Sequence, residues 1–482
     1  MMRTRRVKLY GPDDRPLPRE RRQVAATYDN AATTTDNSRH WANADHLSAT
    51  AANSLAVRKK LRNRSRYEIA NNSFARGITL TLANDTIGTG PRLQLGTPDP
   101  DANHRIEAAW EQWSRAANLA CKLHTLKLSK TGDGEGFATI ATNPAIRSRV
   151  KLDLELFECD RITDDYLFAG ESDNREDGVE YDAHGNPSKY HVLRSHPGDE
   201  SFAISYQADP IDAANMIHLF RADRPGQRRG IPEITPALGL FAELRRFCEA
   251  TIAAAETAAD IAGAMETENA PIDADDGDVE EAIEAGDAFE LERRLFLTLP
   301  RGSKLHQMKA EHPSTTYVEF VGAVLREIAR CLNMPFNIAA GDSSGYNYAS
   351  GRLDHQTYFL AIQIERFVFE TQVLDRLLSA WWEEAILVAD LIPPGLRNIG
   401  FDLPHQWRWD SRKHVDPVKE AIAAKVLLAN NATTLARLYG DAGLDWETEL
   451  RQRAKEVALC KELGLTTAQA APPAIAKPEP TK

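Results

Sequence analysis

The chain has 482 residues, 27% of them charged, and a formal net charge of −12. It is too long for a single core and too acidic to grip nucleic acid over its whole surface. Its five cysteines, Cys121, Cys159, Cys248, Cys331 and Cys460, form no CxxC pair, which excludes a zinc ribbon and fits reduced thiols in a cytoplasm-like compartment, and no apolar run approaches the roughly eighteen residues of a membrane span.

Residues 1–45 mix Arg3, Arg5, Arg6 and Lys8 with Pro, Thr, Asn and Asp. So little apolar surface cannot repay ordering, and a flexible basic arm is expected. The run lacks the apolar core of a secretory signal. From about Ala44, Leu47, Ala51, Leu55, Leu61, Tyr67, Ile69 and Phe74 keep near-helical spacing as far as Gly77. The run Ile78-Thr-Leu-Thr-Leu then suggests a change toward strand, punctuated by Gly88, Gly90 and Pro91. A helix with Ile106, Trp110 and Trp113 on one face follows, the two tryptophans being expected core anchors.

Between 150 and 222, period-two runs at Leu152–Phe157, Val179–Tyr181, Tyr190–Leu193, Phe202–Tyr206 and Met216–Phe220 predict an antiparallel β region. A long helix is then expected from Ile231-Pro232 to about Met265, because proline suits a first helical turn. Leu238, Phe241, Leu244, Cys248, Ile252, Ala255 and Ala259 mark its apolar stripe. A second helix from Thr315 to about Asn333 repeats the pattern with Tyr317, Phe320, Val321, Val324, Leu325, Ile328 and Leu332, and Met334-Pro335 ends it. From Phe247 to Glu292 every charged residue is acidic, including Asp273, Asp275, Asp276, Asp278, Glu280, Glu281, Glu284 and Asp287. Such a block is either a solvated face or a surface that holds off another polyanion.

A Gly-rich loop, Ala339 to Gly351, leads into a long helix from Arg352 to Ala389, and helices are expected over Val418–Ala429 and Trp446–Leu463. The tail from Ala470 is Ala/Pro/Lys, a composition of disorder. The fold class is α+β and mainly helical. No catalytic constellation stands out. Gly341-Asp-Ser-Ser-Gly345 lacks a base and an orienting carboxylate; Gly132-Asp-Gly-Glu-Gly136 lacks the Lys-Ser/Thr of a phosphate loop and reads as a tight turn; Gly88-Thr-Gly90 lacks the third glycine of a dinucleotide site. His184, His191 and His196 have no metal-ligand spacing, so neither a cofactor nor a metal is expected.

Several segments, in order, resemble the lambda-type phage portal proteins. They are Asn72-Ser-Phe-Ala-Arg-Gly77 with Ile87-Gly-Thr-Gly90, Trp110-Glu-Gln-Trp113, Gly132-Asp-Gly-Glu-Gly-Phe137, Glu158-Cys-Asp-Arg-Ile162 and Gly178-Val-Glu-Tyr-Asp182. The likeness continues through Ile217 to Pro232, Leu325-Arg-Glu-Ile-Ala-Arg330 to Pro335, Tyr346-Asn-Tyr-Ala-Ser-Gly-Arg352 and Val415-Asp-Pro-Val-Lys-Glu-Ala421. Leu299-Pro-Arg-Gly-Ser303 and Tyr348-Ala-Ser-Gly-Arg352 depart from the family's usual Leu-Pro-Pro-Gly-Glu and Tyr-Ser-Ser-Ala-Arg patterns.

The resemblance implies a ring, usually of twelve copies, at one capsid vertex of the virion, assembled in the bacterial cytoplasm. Double-stranded DNA would pass through it, and it would dock the terminase large subunit, a head–tail adaptor and capsid or scaffold proteins, with no catalysis and no membrane. It also implies a division into wing (46–230), stem helix (231–265), clip (266–312), stem helix (313–335), tunnel loop (336–352), long wing helix (353–395), crown-like helices (396–463) and tail (464–482). Ser343, Ser344, Tyr346, Asn347 and Tyr348 would then face the channel, where neutral hydrogen bonds touch a DNA backbone without deep electrostatic wells. The alternatives are a head or neck component that conducts no DNA, and a head maturation protease using Ser343 or Ser344.

Overall fold

The computed structural model describes residues 35, 38–164, 175–199, 207–260, 264–267, 303–306, 314–397, 403–410 and 417–465. The expected strand Phe202–Tyr206, most of the basic arm, the tail and the acidic residues from Asp273 to Asp287 lie outside them.

The short helix α1 (Ala49–Ala52) precedes α2 (Leu55–Asn71) and α3 (Ser73–Ile87), and Asn72 separates the last two by capping α3, its side chain accepting from the Phe74 and Ala75 N–H groups. The strand tendency expected from Ile78 onward is overridden. Ile78 and Leu82 are four apart and both are buried, so the run also fits one helical face. Thr79 and Thr86 return their hydroxyls to the carbonyls of Ala75 and Leu82 at 2.7 Å, which satisfies them inside the helix.

Strand β1 (Arg92–Leu95) leads to α4 (Pro100–Ala116), which Asp99 caps by accepting the Ala102 N–H at 3.0 Å. Trp110 and Trp113 are buried as expected, and the Trp113 indole donates to the Leu152 carbonyl at 2.8 Å. Next comes α5 (Leu119–Asp133), a helix that the sequence reading did not separate. Leu119, Leu123 and Leu126 pack inward, but Lys127 and Lys130 are buried as well, which blurs the apolar stripe.

The β region is antiparallel, as its alternation predicts. Strand β2 (Glu135–Thr142) runs between β3 (Leu152–Phe157) and β8 (Met216–Phe220), and a second sheet orders β4 (Arg175–Glu176), β5 (Val179–Tyr181), β6 (Pro187–Leu193) and β7 (Ala208–Asp212). Phe137, Val179, Tyr190, Val192 and Met216 fill the space between the sheets.

The long helix begins later than the sequence suggests. Residues 231–234 form an irregular turn, Thr235–Ala237 a 3-10 turn, and α6 spans Leu238–Asp260. Pro232 does not start it because Glu233 is drawn against α5: its N–H donates to the Thr131 carbonyl at 3.0 Å and its carboxylate meets two buried lysines. The helix also ends earlier. Met265 lies in β9 (Ala264–Thr267), paired antiparallel with β10 (Ser303–His306).

The return helix α7 (Ser314–Cys331) matches its predicted span. The Gly-rich loop is shorter than expected, since α8 (Phe336–Ala340) precedes it and α9 (Tyr348–Phe369) follows. Through a π-helical turn at Glu370–Leu374, α9 runs on into α10 (Asp375–Leu387). At that turn the indoles of Trp409 and Trp407 donate to Glu370 and Asp375 at 2.6 and 2.8 Å, which pins β11 (His405–Arg408) beside it. Strand β11 also pairs with β1. The chain closes with α11 (Pro417–Ala429), α12 (Leu435–Asp441) and α13 (Trp446–Glu462), of which α12 was not anticipated.

Two cores organise the helices. One gathers Trp110, Trp113, Trp381, Leu377 and Leu378 with the outer face of the β2 sheet. The other packs Ala75, Ile78, Phe241, Leu244, Leu325, Ile328, Tyr358 and Ile362 at the foot of the α6/α7 pair. Burial on this scale dominates the stability of such a domain.

Candidate functional site

Above their common buried base, α6 and α7 hold together through rings: Phe247 lies 5.6 Å from Tyr317 and 4.4 Å from Phe320, centroid to centroid. The Tyr317 hydroxyl donates to the Cys248 sulfur at 3.2 Å. Below, the chain turns at Asn333 in a left-handed conformation, passes Pro335 and α8, and reaches Gly341 at φ +67°.

Residues 341–347 then form an exposed polar loop between α8 and α9. The Asp342 carboxylate accepts the Ser344 N–H at 2.8 Å, a bond that holds its pKa below the ordinary carboxylate value, and the Tyr346 N–H donates to the Ser343 carbonyl at 3.1 Å. Asn337 reaches the Ser343 hydroxyl at 3.5 Å and His355 of α9 at 3.0 Å, tying the loop to both flanking helices. Ser343, Ser344 and Asn347 are exposed, Tyr346 is half-buried, and Tyr348 opens α9.

Two buried ion clusters seat this assembly. In the first, the fully buried Glu135 accepts from Arg229 at 2.6 and 2.9 Å, from Arg62 at 3.2 Å and from the Gly230 N–H at 3.1 Å, and lies 3.2 Å from His218. Burial alone would raise the Glu135 pKa, but Arg229 and His218 outweigh it and hold the carboxyl well below its usual range. In the second, Lys127 meets Glu233 at 3.1 Å and Glu365 at 2.9 Å, while Lys130 meets Glu365 at 2.6 Å and Glu233 at 3.2 Å. Burial would discharge Lys127, but the two carboxylates overcome it and raise its pKa. The four side chains join α5, the segment before α6, and α9. A displacement of the loop helix is thereby resisted at the root of the helix pair.

These charges set an acid limit. Burial depresses the His218 pKa below 6.5, so the neutral form it favours is worth most above that pH and the contribution is lost as the pH falls. Glu135, Glu233 and Glu365 are all depressed below 4.5, so their stabilisation is complete above that pH and lost below it. Thermal unfolding followed across pH should show a melting temperature that begins to fall below about pH 6.5 and drops steeply below about 4.5. A melting temperature unchanged down to pH 4 would contradict this assignment.

Of the residues singled out in the sequence, the loop brings Ser343, Ser344, Tyr346 and Asn347 together, whereas the acidic set from Asp273 to Asp287 falls outside the described residues. The clusters around Glu135 and Glu365 were not anticipated, although lysines at i and i+3 among the leucines of α5 were a signal. His196, Glu158 and Asp160 do approach one another closely enough to ligate a cation. The Arg66 guanidinium already lies among them, 2.8 Å from Asp160 and 3.5 Å from Glu158.

Residues 36–366 match the family described as phage portal protein, lambda family. The chain is 27% identical over 445 residues to a probable portal protein of Halomonas phage phiHAP-1, covering 84% of this chain and 81% of that protein. Weaker likenesses reach a chain of the virion of a native gene transfer agent particle (TM-score 0.43, 14% identity, 80% of this chain and 93% of that one) and one of its neck computed with C12 symmetry (TM-score 0.42, 14% identity, 79% and 92%). Among the described residues, no helix is long and apolar enough to cross a membrane.

Proposed function

The chain belongs to the lambda family of phage portal proteins, and from that footing we propose that its copies close into a ring at one capsid vertex, conduct double-stranded DNA in packaging and ejection, and have no catalytic step of their own. In this reading the α6/α7 pair is the stem, 266–312 the clip, 341–347 the tunnel loop, the β sheets with α9 and α10 the wing, and α11 to α13 the crown. The ring would be a dodecamer in the virion, docking the terminase large subunit and a head–tail adaptor. The observation that carries it is the exposed polar loop beside the buried foot of the α6/α7 pair, within the stretch matched by the family.

A duplex sliding past Ser343, Ser344, Tyr346, Asn347 and Tyr348 meets neutral groups. Each added cation would instead bind phosphate and release counterions, creating a salt-dependent well. The carboxylates of Asp273, Asp275, Asp276, Asp278, Glu280, Glu281, Glu284 and Asp287 act in the same sense by keeping phosphates off the wall.

The double substitution Ser343→Lys, Ser344→Lys is therefore expected to leave rings intact but slow packaging, with relief as salt rises. Replacing half the acids between Asp273 and Glu290 by lysine should slow it too, or abolish motor docking. Both are read as DNA packaged per unit time into heads. Unchanged packaging in both variants would remove the conducting role assigned to these residues.

A further inference from the structure

The exposed face of α9 carries Leu353, Thr357, Leu360, Ile364 and Phe367 and continues to Thr371 in the π-helical turn, spaced alternately by four and three residues. That is the spacing of a seam on which another structure packs, not of a solvated face. Leu353, Leu360, Ile364 and Phe367 are 67, 58, 57 and 62% exposed, and none of the described residues of the same chain covers them. Two charged residues in the middle of this span turn away, while Arg352 and Asp354, at its start, are exposed beside Leu353. Glu365 points into the lysine cluster, and Arg366 donates to the Asp85 and Thr86 carbonyls.

We infer that this stripe is one of the two faces by which each copy of the chain docks against its neighbours in the ring. The inference rests on the ring reading above and names the surface that reading lacks. DNA is a poor occupant, because the stripe itself is apolar and the one exposed cation beside it, Arg352, is matched by the exposed Asp354. The basic arm is a poor one too, since its arginines and lysine would find only Asp354 beside an otherwise apolar stripe.

A second copy fits because the chain itself supplies exposed apolar counterparts. Val318 and Phe320 on α7, and Val418, Ile422 and Val426 on α11, are all exposed. A closed ring of identical subunits needs two different patches on each one. Area limits how much of the contact the stripe can supply. Nineteen residues of helix make a strip about 27 Å long and about 10 Å wide, about a third of the roughly 800 Å² per partner that a stable contact uses. The stripe is thus the centre of a larger contact to which other exposed apolar faces add.

The test uses the full chain. In the wild type, side-chain oxidation by hydroxyl radicals should label Leu360 and Phe367 weakly in the ring fraction and strongly in dissociated subunits. The variant Leu360→Glu, Ile364→Glu should raise the concentration at which rings form by at least about tenfold, as loss of a central apolar anchor does, while Leu387→Glu, at a residue 83% exposed off the stripe, leaves it unchanged. Equal labelling of Leu360 and Phe367 in ring and subunit, or rings from the double variant at wild-type concentration, overturns the inference. A wild-type chain that never assembles overturns the ring reading itself, so the two failures are distinguishable.

Discussion

Glu135→Gln is expected to lower the free energy of unfolding by about 3–5 kcal/mol, the usual cost of leaving a buried ion pair without one partner. Glutamine keeps the shape but removes the charge that faces Arg62 and Arg229. Arg58 nearby has little margin. Burial and the Arg229 charge already bring its pKa down to about 10, and Glu135 is one of the groups opposing that fall. Denaturant unfolding measures the effect directly, and Asp209→Asn, which breaks the solvent-exposed pair with Arg194, should leave the curve nearly in place. An equally small change for Glu135→Gln would mean the cluster is hydrated rather than buried.

Gly134→Ala should be comparably severe. Gly134 ends α5 at φ +92°, and a methyl there would overlap the backbone of Ile231, while one at Gly230 would overlap the Gly134 carbonyl. The two glycines cross back to back. The positive φ contributes about 1–3 kcal/mol of strain for a non-glycine residue, and the overlap about 1–3 more. The damage also reaches the site, since Gly230 donates to Glu135 and Glu233 lies two residues beyond Ile231. Gly185→Ala separates the two contributions, because Gly185 has φ +84° but open space around it. It should cost only the conformational part. If Gly134→Ala matches Gly185→Ala in denaturant midpoint, the chain crossing is looser than described.

That crossing shows what the sequence could and could not convey. Gly132-Asp-Gly-Glu-Gly136 is legible as a turn and Gly230-Ile-Pro232 as the approach to a helix, but nothing local says that the two touch. Helix existence was legible in α6, α7 and α9, where leucine, phenylalanine and isoleucine recur at three and four, but not in α5, where buried lysines interrupt the leucines. Boundaries failed where a tertiary contact overrode the local signal. Glu233 is held by α5, so α6 starts six residues after Pro232; Met265 is held by β10, so α6 stops before it. Of the site, the polar loop was visible because glycine and serine stand between two apolar patterns, but as the wider span Ala339 to Gly351, since α8 and the first turn of α9 carry no local signal strong enough to trim it. The buried Lys127, Lys130 and Glu365 were not, since single charges on a helix are ordinarily solvated.

The α9 stripe shows the opposite case. Helical spacing put Phe367 on a core face with Phe359 and Ile362, and Ile362 is buried there with Phe359 packed beside it. Phe367 points outward instead, with Leu360 and Ile364. An apolar residue covered only by a neighbouring subunit leaves the same mark in a sequence as one covered by its own chain.

An image reconstruction of the purified wild-type chain tests the central claim most directly. The account predicts a closed ring of many copies, with residues 341–347 at the narrowest part of an axial channel wide enough for a duplex. A chain that remains a single subunit, or a ring that carries this loop on its outer rim, would contradict it.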